Sequence, residues 1–186
     1  MGERKVKGSI LLDYIRMIKA NRDKDWNKYL KPEDWEIVNG RVLPSVWYPL
    51  ETFQRCGLAT FHVLGGGKLE NVRAWGKISM SQLVGNIYKS MIADADPLKA
   101  VERFSIMRSQ FFNFSSFELQ KMAEKHVKVS FTYDVNDKEG TEAYSAQLQG
   151  MIEQLLILAG AKNPKVDLNM REWKGDPVTE FDVKWE

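Results

Sequence analysis

The side chains best suited to nucleophilic or acid–base chemistry are few in this sequence. The 186 residues include one cysteine, Cys56, and two histidines, His62 and His126. Cys56 and His62 are six residues apart on one predicted helix, and six residues turn a helix by about 600°, so the two side chains point roughly 120° apart. We therefore expect no thiolate–imidazole pair, predict no catalytic residue and no enzyme, and interpret Cys56 as a small buried hydrophobic residue.

Three glycines before Lys68 have the composition of a phosphate-binding loop, in which backbone amides hold the phosphate. Such a loop also needs a glycine where His62 stands and a serine or threonine where Leu69 stands. Residues 65–67 are therefore interpreted as the end of a helix, where glycine adopts positive φ without a steric penalty.

Aromatic side chains are the more suggestive feature. They gather at the start of the predicted second helix, on the third, and at the end of the fourth, and they could line an apolar ligand pocket or simply fill the core. A pocket needs an orienting donor, which Tyr48 or His62 could supply, although His62 could equally be a structural imidazole. The candidate ligand-binding residues are Trp47, Tyr48, Phe53, His62, Trp75, Phe111 and Phe112.

The elements that position these residues follow from hydrophobic periodicity. Apolar residues at three- and four-residue spacing predict helices, and strict alternation predicts strands. The predicted helices cover residues 9–22, 49–64, 69–91, 97–112 and 141–159, with turns around 35–45, and the predicted strands lie near 117–122, 127–133, 165–170 and 181–185. This order indicates an α+β fold in which an N-terminal helical layer packs on a four-stranded antiparallel sheet with β-β-α-β-β order at the C-terminal end.

Composition limits the domain count and the partners. A chain of this length without repeats predicts a single domain over residues 1–186, with residues 1–8 as a flexible tail. The net charge of +2 is too small to indicate nucleic-acid binding, and no run of about 18 apolar residues predicts a membrane span. One cysteine excludes an internal disulfide and fits a cytoplasmic location.

Several motifs, taken in their order and spacing, resemble a known superfamily. They occupy residues 6–9, 43–49, 65–67, 149–163, 165–166, 175–177 and 180–185. The superfamily groups heme-NO-binding sensor domains, 4-vinyl-reductase-like small-molecule-binding domains and the Bet-type subunits of the TRAPP vesicle-tethering complex. Within it, the chain is most similar to an uncharacterised family known mainly from myxobacteria and related bacteria.

Relatives in this superfamily bind heme or zinc through short motifs, which this sequence can be compared with. The heme-NO-binding branch uses a helical histidine ahead of a Tyr-x-Ser-x-Arg motif, whereas residues 97–112 contain no histidine and residues 144–147 lack the motif. In 4-vinyl-reductase-like relatives, cysteines flank the Gly-Asp turn and can bind zinc, but none flanks Gly175 here. We therefore expect no cofactor, neither heme nor zinc, and no metal site.

The resemblance implies a pocket between helices and sheet that holds heme, aromatic effectors or an acyl chain in relatives. We therefore expect a non-enzymatic sensory or ligand-binding domain whose partner is a hydrophobic or aromatic small molecule. The alternative is a protein–protein interaction or dimerisation module without a bound ligand, for which a homodimer is one arrangement.

Overall fold

A computed structural model describes residues 3–86, 88–114, 117–133 and 137–186. The chain forms two compact units, one comprising Met1–Lys68 with Gln110–Phe114 and the other Leu69–Ser109 with Ser115–Glu186. The single domain expected from the length stays a prediction.

The first unit is mostly helical. Its elements are β1 (Lys5–Lys7), α1 (Gly8–Ala20), α2 (Pro32–Asn39), β2 (Trp47–Pro49) and α3 (Leu50–Val63). The predicted apolar stripe of α1 is confirmed, since Leu11, Ile15 and Ile18 are all buried. Trp26 lies beyond the helix, and its indole N–H donates to the carbonyl of Asn21 at 2.7 Å.

The N-terminal segment differs from the flexible tail expected for residues 1–8. Lys5–Lys7 form β1, which pairs antiparallel with β2 and sets Val6 opposite Tyr48. Val6 also forms an antiparallel bridge with Phe112 and is completely buried. The lysines on either side of Val6 make the segment look solvated, but the single apolar side chain between them is enough to anchor a short strand when its backbone finds partners.

Helix α2 occupies a stretch in which the sequence analysis assigned only turns. Pro32 stands in its first turn, where the missing N–H and the fixed φ suit a helix start. The Asp34 carboxylate accepts the backbone N–H of Lys31 at 2.9 Å and so caps the same end. A proline followed by acidic residues is therefore the local sequence signal for the start of this helix.

The second unit contains the sheet. Its elements are α4 (Leu69–Asn86), α5 (Pro97–Ser109), β3 (Phe117–Ala123), β4 (His126–Phe131), α6 (Lys138–Leu158), β5 (Lys165–Met170) and β6 (Thr179–Lys184), with 3₁₀ turns at Lys89–Ile92 and Glu172–Lys174. Helix α4 is shorter than predicted, and Ile87 of the predicted helix lies outside the described residues. Helix α5 ends at Ser109 rather than at Phe112, because the residues that follow pair with the N-terminal segment: the Phe111 carbonyl oxygen accepts the backbone N–H of Lys7, and Phe112 bridges Val6.

The four strands are antiparallel in the order β3-β4-β6-β5. One face is apolar and buried, with Val127, Val129 and Phe131 on β4 opposite Val183, Phe181 and Thr179 on β6. The other face carries ion pairs: Lys128 contacts Glu180 at 3.0 Å, and the Asp182 carboxylate contacts both His126 and Lys184. The predicted α+β class, the four-stranded antiparallel sheet and the β-β-α-β-β order are confirmed.

Helices α4 and α6 approach each other at backbone distance. A Cβ atom on Gly76 would overlap the carbonyl oxygen of Gln147, and one on Gly150 would overlap the carbonyl oxygen of Arg73. At the same crossing, Glu153 accepts hydrogen bonds from Arg73 at 2.8 Å and from Lys77 at 3.0 Å. The two glycines therefore set the helix separation, and the ion pairs hold the register of the crossing.

The crossing predicts a specific sensitivity to a single methyl group. Gly76→Ala is expected to lower the free energy of unfolding by about 2 kcal/mol, because the new Cβ meets backbone that cannot rotate away. Gly85→Ala in the same helix is the matched control: its Cβ meets nothing within 4 Å, so it is expected to stabilise by about 0.5–1 kcal/mol. Urea denaturation of both variants measures the difference, and equal effects would contradict the proposed crossing.

Candidate functional site

Phe53 and Phe112 are the two predicted ligand-binding residues that the structure brings into direct contact. Phe53 projects from α3, and its ring lies 6.0 Å from that of Phe112 in an edge-to-face arrangement. Tyr14 of α1 also contacts Phe53, with the two ring centres 5.2 Å apart. All three are buried. This group in the first unit has the apolar, rigid character of a ligand-pocket wall and also that of an ordinary core.

Trp47 and Tyr48 lie on β2 and face different surroundings. Trp47 is 39% exposed, and the ammonium group of Lys7 lies 4.2 Å from the centre of its ring. The Tyr48 hydroxyl accepts the backbone N–H of Leu43 at 3.0 Å, and its ring packs against Gly8, where a Cβ would overlap the Leu43 carbonyl oxygen. The Tyr48 hydroxyl thus helps to fix the loop before β2.

His62 is half-buried near the C-terminal end of α3. Its imidazole stacks on the Tyr29 ring at 4.9 Å with an interplanar angle of 5°, and Phe61 lies against it at 4.9 Å. Nine residues separate it from Phe53, which is about 13.5 Å along the helix axis. His62 therefore stands apart from the Phe53 group, in an aromatic setting of its own.

The remaining two candidates occupy separate places. Phe111 is half-buried, and its carbonyl oxygen accepts the backbone N–H of Lys7 at 2.9 Å. Trp75 is half-buried on α4 in the second unit. The ligand-binding role of the seven candidate residues stays a prediction.

A buried ion pair holds α3, the helix that carries Phe53 and His62, to α2. Arg55 donates from Nε to Asp34 Oδ2 at 2.6 Å and from Nη2 to Oδ1 at 2.8 Å, and the Asp34 side chain is fully buried. Burial alone raises the pKa of the Asp34 carboxyl, but hydrogen bonds from Arg55, the Lys31 backbone and Thr52, together with the charge of Arg55, outweigh burial and leave that pKa below its ordinary value.

Neither Cys56 nor the glycine run has the environment that its chemistry would need. Cys56 is fully buried, and burial raises the pKa of its thiol to about 12, so the thiolate is scarce at neutral pH. The backbone N–H groups of Gly65, Gly66 and Gly67 donate to carbonyl oxygens of the last turn of α3. The prediction that these glycines end a helix is confirmed.

The described part of the chain contains no cluster of three or more His, Cys, Asp or Glu side chains arranged to hold a metal ion. In the same part, no helix is both long enough and apolar enough to cross a bilayer.

Arg108 is a buried residue that the sequence analysis did not single out. It is 2% exposed, and its guanidinium carbon lies 4.8 Å from the ring centre of Phe117, 5.1 Å from that of Phe131 and 5.9 Å from that of Tyr144. Its position four residues after the buried Phe104 was the available signal, because that spacing places both on one helix face.

Comparisons with known proteins place the fold. The model of a family described as "Protein of unknown function (DUF2378)" matches residues 36–186. Among curated proteins, none matches this chain.

Solved structures of H-NOX proteins match the chain along almost its whole length. An unliganded Fe(II) H-NOX protein from K. algicida matches with a TM-score of 0.68 and 8% identity, covering 97% of this chain and 96% of its own. An H-NOX protein from S. oneidensis in the Fe(II)NO state matches with a TM-score of 0.66 and 11% identity, covering 97% and 99%. A structure described as probing the function of heme distortion in the H-NOX family matches with a TM-score of 0.59 and 11% identity. The match covers 97% of this chain and 94% of that chain. At these identities the likeness shows the fold.

These matches correct the expectation of a chain without a cofactor. That expectation rested on two short segments, residues 97–112 and 144–147, whereas the likeness to heme proteins extends over 97% of the chain. A fold can persist when sequence identity has fallen to about 11%. The absence of one short motif is therefore not a test of whether a cofactor is bound. The finding contradicts our exclusion of heme.

The Asp34–Arg55 pair predicts a pH-dependent contribution to stability. Because the folded-state pKa of Asp34 is lowered, its stabilisation is complete above the ordinary value of 3.8 and is lost as the pH falls through the folded-state value. Asp34→Asn is expected to cost about 3 kcal/mol at pH 7, and the gap from the unaltered protein is expected to close in acid. Denaturation curves from pH 7 to pH 3 measure this, with the exposed Asp23→Asn as control; a gap independent of pH would contradict the assignment.

The buried thiol gives a second prediction. Cys56 is expected to resist alkylation by iodoacetamide at pH 8 in the folded protein and to react readily in urea, because burial suppresses both the thiolate and access to it. Mass spectrometry of the labelled protein is the measurement. Labelling at equal rates in both conditions would show that Cys56 is accessible.

Proposed function

The chain belongs to the DUF2378 family of proteins of unknown function, and we propose that it is a sensory, ligand-binding domain rather than an enzyme. The observation that carries this proposal is the likeness to H-NOX structures over almost the whole of both chains. We also propose a kinship to 4-vinyl-reductase-like and TRAPP Bet-type domains and to a family known mainly from myxobacteria and related bacteria. The proposed location is the cytoplasm.

The ligand class that we propose is a flat, largely apolar or aromatic molecule, and heme is the first member to test. The chemistry supporting it is the concentration of rigid aromatic side chains around Phe53 in the first unit and around Phe131 in the second. Aromatic walls with few polar groups favour ligands of this shape.

Heme needs a donor to its iron, and this chain has two imidazoles and one thiol. The Cys56 thiol is unsuited, because burial keeps it protonated. His126 contacts the Asp182 carboxylate on the polar face of the sheet. His62 of α3, which stacks on Tyr29 and contacts Phe61, fits the iron by donor chemistry. When bound, heme supplies an iron that takes a diatomic gas such as NO, as in the S. oneidensis neighbour.

Signal transmission requires only that the ligand bind one conformation better than another. A ligand present at 100 times its dissociation constant stabilises the conformation that it binds by about 2.7 kcal/mol. That free energy is large enough to shift an equilibrium between two helix packings or between two association states.

A second candidate function is a dimerisation or protein-interaction module. The observation that favours it is a short exposed apolar segment in the first unit, formed by Leu43, Val46 and Trp47. Apolar side chains exposed together are typical of surfaces that contact a partner. Light scattering separates the two functions, because a ligand-independent dimer disrupted by Trp47→Ser favours the interaction module.

The ligand-binding proposal predicts that hemin or a flat aromatic compound raises the melting temperature by about 5–10 °C at saturation. Thermal shift measures this, and visible absorption during a hemin titration reports coordination of the iron. His62→Ala is expected to abolish the spectrum of imidazole-ligated heme, and added imidazole is expected to restore it.

His126→Ala is the matched control, since it removes the other imidazole and is expected to leave the heme spectrum unchanged. If hemin, aromatic compounds and fatty acids all leave the melting temperature unchanged, the ligand-binding function is wrong. If His62→Ala retains the spectrum of the unaltered protein, the assignment of His62 is wrong while the function stands.

A further inference from the structure

The first unit presents three exposed apolar side chains on the turn that leads into β2. Leu43, Val46 and Trp47 are 42%, 41% and 39% exposed, and we call residues 43–47 the docking segment. Apolar side chains exposed together mark a surface that contacts another molecule, either a protein or a membrane. The backbone and the charges of the segment decide between these two.

The backbone of the docking segment is held by hydrogen bonds from its own unit. All four carbonyl oxygens of residues 43–46 accept a hydrogen bond of 2.9–3.2 Å. Their donors, in chain order of the acceptors, are the backbone N–H of Val46, the backbone N–H of Ser9, the ammonium group of Lys7 and the backbone N–H of Gly8. The Leu43 N–H donates to the Tyr48 hydroxyl group at 3.0 Å, and Pro44 has no N–H. The apolar side chains therefore project from a fixed backbone.

This pairing determines which surroundings the segment tolerates. Irregular backbone enters an apolar phase at a large cost when its carbonyl groups lose water without gaining a partner. The carbonyl groups of residues 43–46 already have partners, so this cost is removed. The segment can therefore exchange water for the edge of a lipid bilayer, where a tryptophan such as Trp47 favours the boundary between hydrocarbon and headgroups.

Two cations flank the apolar side chains. Lys7 lies opposite Trp47 in the β1–β2 pair, with its ammonium group 4.2 Å from the ring centre, and Arg41 is exposed two residues before Leu43. In the part of the chain that the structure describes, neither cation pairs with a carboxylate. Residues 37–50 contain no acidic residue. Cations in this arrangement complement the anionic headgroups of a membrane surface.

The same charges disfavour a second copy of the chain as the occupant. A symmetric dimer uses the same patch on both partners, so it would bring Lys7 and Arg41 of the two copies close together. Three partly exposed side chains also offer far less than the roughly 800 Å² that each partner buries in a stable interface. A lipid surface sets no such minimum, because binding strengthens with each apolar or basic group that reaches it.

We propose that the docking segment attaches this domain to the surface of an anionic lipid bilayer. Its apolar side chains enter the edge of the hydrocarbon, while Lys7 and Arg41 bind the anionic headgroups. Attachment by so few groups is weak and reversible. It brings the domain to a membrane surface without a spanning helix and is independent of the ligand-binding function.

The test is co-sedimentation of the full chain with vesicles that contain phosphatidylcholine and phosphatidylserine in equal parts. Binding is expected to be weaker to vesicles of phosphatidylcholine alone and to fall at high salt, because salt screens the attraction to the headgroups. Leu43→Ser is expected to weaken binding to the mixed vesicles about tenfold, since less apolar surface leaves water. Ile106→Ser is the matched control: Ile106 is 64% exposed on α5 in the other unit, and its loss is expected to leave binding unchanged.

Arg41→Gln keeps the proposal testable if Leu43→Ser destabilises the protein. Arg41 is exposed, so its replacement is expected to leave the fold intact, to weaken binding to the mixed vesicles about fivefold, and to leave binding to phosphatidylcholine alone unchanged.

Two results overturn the proposal directly: no co-sedimentation with the mixed vesicles, or equal binding by the unaltered protein, Leu43→Ser and Arg41→Gln. Light scattering tests the other occupant. A dimer that forms without vesicles and that Leu43→Ser dissociates, together with no binding to the mixed vesicles, shows that a second copy covers the docking segment and overturns the membrane proposal.

Discussion

The backbone contact between α4 and α6 is the constraint on which the second unit depends. Glycines at positions 76 and 150 let each helix pack against the carbonyl groups of the other, and no larger residue fits at either position. The Glu153 carboxylate, held by Arg73 and Lys77, fixes the rotation of the crossing. Because α6 also packs on α5 and β5, the crossing determines where Tyr144 lies and therefore which rings enclose Arg108.

Two polar contacts connect the elements of the first unit. The Asp34–Arg55 pair joins two helices of different length, and the β1–β2 pair ties the N-terminal segment to the loop before α3. Such contacts are strongly destabilising when broken on one side, because they leave a buried charge or an unpaired backbone group. Loss of either contact is therefore expected to destabilise the first unit.

The comparison with H-NOX structures separates fold from chemistry. A TM-score of 0.68 at 8% identity means that the helix and strand framework is retained although most side chains differ. A site has to be argued from the side chains that are present. The exclusion of heme from two short motifs went wrong because it treated one arrangement of ligands as the only one that this fold could use.

The sequence by itself determined the elements whose periodicity is strong. Alternation around Val127–Phe131 and Phe181–Val183 was enough to predict the strands of the antiparallel sheet, and the apolar stripe of α6 was enough to predict that helix. In each case burial of one face imposes the pattern. Tertiary structure alone decided what depends on contacts between distant residues: the anchoring of Val6, the packing of Gly76 and Gly150 against carbonyl groups of the opposite helix, and the rings around Arg108. A lone valine, a helical glycine and a surface-type arginine carry no local signal of their partners, since the partners lie 40 to 110 residues away or are assembled from three elements at once.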